Sequence, residues 1–197
     1  KQTELIMQTI EDVKEHVEHL KTAPPFEINE HLATFQRYAS ECETIAEFGV
    51  ATGTSTWAFL STQPKRMRSY DWGECPVESI KEACQTLGLD WQFILQDTGA
   101  EDFHIEQCDL LFVDSMHTGD HVEKELRHNA PYVNKYIILH DTVKYGEWGQ
   151  GPPIGDVTPG VRGINSAIAQ FLEENPAWVE HERFYNNNGL VVLKKVG

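Results

Sequence analysis

Apolar residues recur at alternating steps of four and three over Ile6, Ile10, Val13, Val17 and Leu20, with Glu, Lys and His between them. That period lays one apolar stripe along a helix, and Pro24-Pro25 ends it. Residues 1–24 therefore read as an amphipathic helix ahead of a domain spanning 25–197. The stripe stops too soon for a long coiled coil, so it needs a docking surface on the domain or on a second subunit, as in a homodimer. From Cys42 onward, short apolar runs alternate with longer amphipathic ones. Strands are predicted at Thr44–Phe48, Met67–Tyr70, Trp91–Leu95, Leu110–Val113 and Tyr136–Leu139, and helices at Ser55–Leu60, Val77–Leu87, Asp120–Ala130 and Gly163–Glu174. Such alternation is the signature of an α/β fold with a mostly parallel sheet and helices on both faces. Trp178–Phe184 and Leu190–Lys194 flank Asn186-Asn187-Asn188-Gly189, a turn-forming run, and read as a closing antiparallel hairpin.

The stretch from Val143 to Arg162, rich in Gly and Pro and carrying Tyr145 and Trp148, is too long for a connector and reads as a candidate lid. At 197 residues the chain supports one domain with a proper core. Its 16 basic and 31 acidic residues give a formal charge of -15, which repels phosphate backbones and anionic membranes and excludes nucleic acid as the expected partner. Cys42, Cys75, Cys84 and Cys108 form no Cys-x-x-Cys pair and read as reduced thiols of a cytoplasmic protein. No apolar run approaches the ~20 residues of a membrane span, and no charged-then-apolar leader opens the chain. The chain starts at Lys1, which fits a piece of a longer multidomain protein.

Candidate chemistry begins with IAEFGVATGTS at Ile45–Ser55, where an apolar strand runs into a glycine-containing turn and then a helix. Gly49 and Gly53 let a ligand lie against the main chain, and Thr54 or Ser55 can cap the helix. The run lacks the Gly-Lys-Ser/Thr of a phosphate-gripping loop and the Gly-x-Gly-x-x-Gly of a dinucleotide site. In an open parallel sheet, ligands gather beyond the carboxyl ends of the strands. The residues there are Asp71-Trp72, Asp97-Thr98, Asp114, and His140-Asp141. Turn chemistry alone accounts for Asp97 nearly as well as function does. Asp114 and Asp141 supply hard oxygen ligands for a divalent cation, with His140 adding a nitrogen or sitting just behind.

The glycine run resembles the first motif of class I S-adenosylmethionine-dependent methyltransferases. The resemblance implies a Rossmann-like, mostly parallel seven-stranded sheet and a cofactor held along Glu47, Gly49, Ala51, Gly53 and Ser55, with Glu47 near its methionine end. Asp71 would take the ribose hydroxyls, Asp97 and Thr98 the adenine amino group, and Trp72 would cover the ring. LLFVDSMH and YIILHDT together resemble metal-dependent O-methyltransferases of the catechol and macrolide-sugar types. There, a basic residue three positions past the first metal-binding Asp takes the acceptor's proton, a role that falls to His117. The expectation is therefore methyl transfer from S-adenosylmethionine to a hydroxyl of a sugar, such as a deoxyhexose in a glycan or natural product, or else of a catechol. A divalent metal, Mg2+ or Mn2+, would assist. The families have an acidic residue where this chain has His140, which tilts metal choice toward manganese, iron or another transition metal. Asp114, His117 and His140 could instead assemble as a two-histidine, one-carboxylate iron site of a hydroxylase, and a binding module without turnover is a third reading. A nucleobase N-methyltransferase is disfavoured, because Asp-Ser-Met-His stands where Asn/Asp-Pro-Pro-Tyr/Phe is expected.

Overall fold

The computed structural model describes residues 7–152 and 155–197; Ile6, first position of the predicted stripe, lies outside them. Helix α1 (Ile10–Thr22) starts at a capping box: Thr9 Oγ1 accepts from Asp12 N at 3.2 Å, and Asp12 Oδ2 accepts from Thr9 N at 2.7 Å. Its buried Val13 and Val17 face the domain, in one cluster with Phe35, Trp57 and Phe59. Of the two docking surfaces expected for the stripe, the structure uses the domain's own.

A 3-10 turn (Asn29–His31) leads into α2 (Leu32–Ala39), which the sequence reading missed. Leu32, Phe35, Tyr38 and Ala39 sit three and four apart and are buried, but the helix is only eight residues long and lacks a side-chain cap. Strand β1 (Thr44–Phe48), α3 (Thr54–Leu60), β2 (Arg66–Asp71), α4 (Glu78–Leu87) and β3 (Trp91–Leu95) form the first half of the sheet. The chain then returns to the other side of β1 as β4 (Cys108–Val113), α5 (Gly119–Asn129) and β5 (Val133–His140). It ends with α6 (Ile164–Glu174), β8 (Trp178–Phe184) and β9 (Leu190–Lys195). The order is β3-β2-β1-β4-β5-β9-β8, parallel from β3 to β5, with β9 antiparallel between β5 and β8.

Strands β4 and β5 are apolar on both faces because both are covered. One face packs against α1 to α4 through Phe35, Phe59, Ile80 and Phe112, the other against α5 and α6 through Val122, Leu126, Ile168 and Phe171. Burying each of these large side chains contributes roughly 1.5–3 kcal/mol.

The segment predicted as a lid is partly regular. It contains a two-stranded antiparallel ribbon, β6 (Trp148–Gly151) and β7 (Asp156–Arg162), which the Gly and Pro content concealed. No described helix is long and apolar enough to cross a membrane. The reversal between β1 and β4 opens a crevice at their carboxyl ends, the usual ligand position in such sheets.

Candidate active site

That crevice is a cavity of about 820 Å³, walled by Gly49, Val50 and Ala51 after β1, Asp71 and Trp72 after β2, Asp97 and Thr98 after β3, Asp114 to His117 after β4, and His140-Asp141 at the end of β5. Gly49 is required for two reasons. Its φ is +85°, and a Cβ there would lie 1.9 Å from the Asp114 carbonyl oxygen, so the β1 turn and the β4 tip pass at backbone contact. Gly53 takes φ 82° as N-cap of α3 and stays behind the wall, while Ser55 lines the cavity.

Glu47 does not face the cavity. Fully buried, it accepts hydrogen bonds from Ser55 Oγ (2.6 Å), Thr56 Oγ1 (2.8 Å) and Ser69 Oγ (2.6 Å), and Ser69 in turn accepts from Trp91 Nε1 (2.9 Å). The methionine-end role expected of it thus has no geometric support; the carboxylate knits β1, β2 and α3 together beneath the turn. A further acidic side chain lines the cavity beside this turn: Glu27, from the connector between α1 and α2, bonded to Thr52 and Thr54.

Burial pushes the Glu47 pKa up to about 7, with the three hydroxyls opposing only part of the rise. The folded protein therefore holds a proton that the unfolded chain has released between roughly pH 4.5 and 7, so this group's contribution to stability falls as pH rises through that window. Glu47→Gln removes the titration. Urea unfolding at pH 5 and pH 8 should show the stability difference between variant and wild type swinging toward the variant, by on the order of 1–3 kcal/mol. A difference that stays constant with pH would show that Glu47 does not titrate there.

At the end of β2, Asp71 Oδ2 accepts from Val50 N at 2.9 Å and Oδ1 from Gly73 N at 3.1 Å, so the carboxylate braces the glycine turn and keeps lone pairs for a ligand. Trp72 is 79% exposed at the rim. Asp97 Oδ1 accepts from Gly99 N at 2.9 Å, the turn chemistry weighed as its alternative. Thr98 is buried and, with Ser115 Oγ (2.6 Å) and His121 Nε2 (3.2 Å), bonds to Oε1 of the fully buried Glu125. His121 lines the same wall, while its partner Glu125 escaped the sequence reading because a helical Glu reads as surface.

At the tips of β4 and β5, side chains converge and are joined by Gln150 of β6. His117 Nε2 lies 2.9 Å from Asp141 Oδ2 and 3.2 Å from Asp114 Oδ1, and its Nδ1 is 2.8 Å from Gln150 Oε1 on β6. The ring stacks on Tyr145 at 4.7 Å and 6°. His140 Nδ1 lies 3.3 Å from Asp114 Oδ1, while its Nε2 is 2.8 Å from the Asn187 carbonyl in the β8–β9 hairpin. Asp141 adopts φ 60°, a left-handed conformation that non-glycine residues enter at a cost and that turns up at functional sites. Trp148 does not line the cavity; Lys144 and Asn188, which the sequence did not suggest, do.

Burial opposes a charged imidazole at His117, but hydrogen bonds to Asp114 and Asp141 outweigh it and push its pKa up to about 10. Burial likewise opposes charge on Asp114, yet His140 and His117 hold it well below the usual carboxylate range. Asp114 is thus held ionised by the two imidazoles, a charge that a bound cation can balance in their place. Asp114, His140 and Asp141 each offer a ligand atom within 4.8 Å of the others, and no second such group occurs among the described residues. Asp141 Oδ1 is buried without a hydrogen-bond partner among the described residues, and a buried carboxylate oxygen left bare is costly. Two carboxylates, an imidazole and an unsatisfied oxygen fit a divalent cation.

No protein-family model matches the chain, and no curated protein sequence matches it. Solved structures do. The MycE methyltransferase of the mycinamycin biosynthetic pathway, in complex with Mg, SAH and mycinamycin VI, superposes with a TM-score of 0.63 at 15% identity, over 94% of this chain and 54% of that one. The O-methyltransferase from Bacillus cereus in complex with SAH gives 0.55 at 15% identity, over 94% and 90%. The N-methyltransferase NodS from Bradyrhizobium japonicum WM9 gives 0.56 at 17% identity, over 84% and 94%. O- and N-methyltransferases are both among them, so the likeness speaks to architecture and leaves the acceptor atom to the site. With its strand order of 3-2-1-4-5-9-8, the chain has the fold of the class I methyltransferases.

Proposed function

We propose that the protein is an S-adenosylmethionine-dependent O-methyltransferase that works with a bound divalent cation on a sugar hydroxyl. The observation that carries this reading is one cavity joining two sites. The glycine turn and Asp71, at the tips of β1 and β2, lie beside the Asp114–His117–His140–Asp141 cluster at the tips of β4 and β5, along one wall of the same cavity. S-adenosylmethionine would supply the methyl group as an electrophilic carbon on its sulfonium. A divalent cation on Asp114, Asp141 and His140 would bind the acceptor oxygen and lower its pKa.

The chain's own residues do the rest. Asp71 accepts hydrogen bonds from the ribose hydroxyls, while Asp97, Thr98 and Trp72 wall the adenine end. With Asp114 and Asp141 engaged by the cation, the carboxylates that hold the proton on His117 are drawn off, and the ring, braced by Tyr145 and Gln150, is free to take the hydroxyl proton. The acidic surface favours an uncharged acceptor, and vicinal hydroxyls suit a cation with open positions. The resemblance of LLFVDSMH and YIILHDT to macrolide-sugar O-methyltransferases supports a sugar, and the MycE complex with Mg, SAH and mycinamycin VI supports a small-molecule acceptor; a catechol presents the same pair of oxygens and is the second reading. Assaying labelled methyl transfer to a panel of glycans and catechols separates the two.

Calorimetry tests the cofactor half directly. The wild type should bind S-adenosylhomocysteine, and Asp71→Ala should weaken binding by about 1–3 kcal/mol, as charge-assisted hydrogen bonds are lost. Absence of binding by the wild type would remove the methyltransferase reading and return the iron-hydroxylase arrangement to consideration.

A further inference from the structure

The connector from Ala23 to Ile28 is built to deliver one carboxylate to the cavity. Asn29, 1% exposed, locks it: its Oδ1 accepts from Phe26 N at 3.0 Å, and its Nδ2 donates to the carbonyls of Leu20, Ala23 and Pro24 at 3.0, 3.2 and 3.3 Å. Glu27 emerges from this turn with φ 39°, in the left-handed region that a residue with a Cβ enters only when its surroundings hold it there. Its Oε2 accepts from Thr52 Oγ1 at 2.9 Å and Thr54 Oγ1 at 3.1 Å, both at the mouth of the glycine turn. Oε1 has no hydrogen bond among the described residues, and the side chain lines the cavity with Ile28, Thr54 and Ser55. The other end of the connector is tied across the cavity mouth, where Glu30 N meets Asn187 Oδ1 at 3.2 Å and His31 Nε2 meets the Asn186 carbonyl at 3.1 Å.

A strained backbone, two threonine donors and a half-engaged carboxylate place negative charge at the glycine-turn end of a protein whose formal charge is already -15. A cationic group would complete that arrangement. Of the other acids at the turn, Glu47 has its oxygens committed to three hydroxyls inside the core, Asp71 is bonded to Val50 N and Gly73 N, and Asp114 faces His117 and His140. We propose that Glu27 is the counter-ion for the ammonium group at the amino-acid end of the cofactor, an assignment that rests on the S-adenosylmethionine reading above. The bland alternative is a brace between connector and turn, acting only through the two threonines.

Calorimetry on the full chain separates them, using S-adenosylhomocysteine, its deaminated analogue with hydrogen in place of the amino group, and 5′-methylthioadenosine, which lacks the amino-acid end. The wild type should prefer S-adenosylhomocysteine to the deaminated analogue by about 10-fold or more, the value of a charge-assisted hydrogen bond. Glu27→Gln, which keeps an oxygen for the threonines, should erase that preference by weakening S-adenosylhomocysteine alone. Retention of the preference in Glu27→Gln, or equal weakening of all three ligands, would overturn the assignment. Failure of the wild type to bind 5′-methylthioadenosine and S-adenosylhomocysteine alike would instead sink the cofactor reading itself, and this assignment with it.

Discussion

His117→Ala is expected to lower turnover by on the order of 100-fold or more while S-adenosylhomocysteine affinity barely changes. The split follows from where the ring sits. Its Nε2 lies between the Asp114 and Asp141 carboxylates at the tips of β4 and β5, with β1 between them and the β2 tip that carries Asp71, so removing it should spare the cofactor side. His121 is the internal control. It lines the cavity too, but its Nε2 is turned to Glu125 rather than to Asp114 or Asp141, so His121→Ala at saturating cofactor should cost far less. Single-turnover rates and binding constants for both variants make the measurement. Near-normal turnover for His117→Ala would leave water or the cation alone to activate the hydroxyl, and equal losses in both variants would point to a general disturbance of the wall.

Stripping divalent cations should abolish methyl transfer, and Mg2+ or Mn2+ should restore it, with Mn2+ favoured by the imidazole ligand. Asp141→Asn should behave like the stripped protein. Asp141 is the sharpest residue to change because its Oδ1 is the bare buried oxygen of the cluster, while its Oδ2 faces His117. The substitution keeps shape and removes charge, so a preserved melting transition together with loss of Mn2+ binding by calorimetry separates metal loss from misfolding. Full activity in excess chelator, after verified removal of bound metal, would refute a metal role in the reaction.

The sheet was legible because buried parallel strands are short apolar runs and the covering helices are amphipathic, so the two periods alternate cleanly. Its carboxyl-end acids were legible for the same reason: once strand ends are known, topology brings Asp71, Asp97, Asp114 and Asp141 to one crevice. What stayed hidden depends on directions that a strand pattern does not encode. Glu47 and Asp71 both sit on strands bordering the glycine turn, yet hydroxyls from α3 and β2 draw Glu47 inward while Asp71 reaches the cavity. Glu27 was invisible because it stands in a Pro-rich connector with no periodicity, and its placement depends on Asn29 bonds to carbonyls of the preceding helix and turn. The β6–β7 ribbon was masked by glycines whose purpose is close approach: at Gly149, a Cβ would lie 2.6 Å from the Arg162 carbonyl oxygen.

The position of β9 bears on how the protein is made. The last strand of the chain is inserted between β5 and β8, and the hairpin turn just before it presents the Asn187 carbonyl to His140 Nε2. During synthesis from the amino terminus, β1 to β5 can pair as soon as they emerge, but β5 keeps an open edge and His140 has no acceptor until β9 arrives. A chain that ends before Leu190 therefore has the five parallel strands, with β5 uncovered at one edge and the His140 ring without the docked hairpin that orients it. The orientation of His140 is consequently set only once β9 docks beside β5.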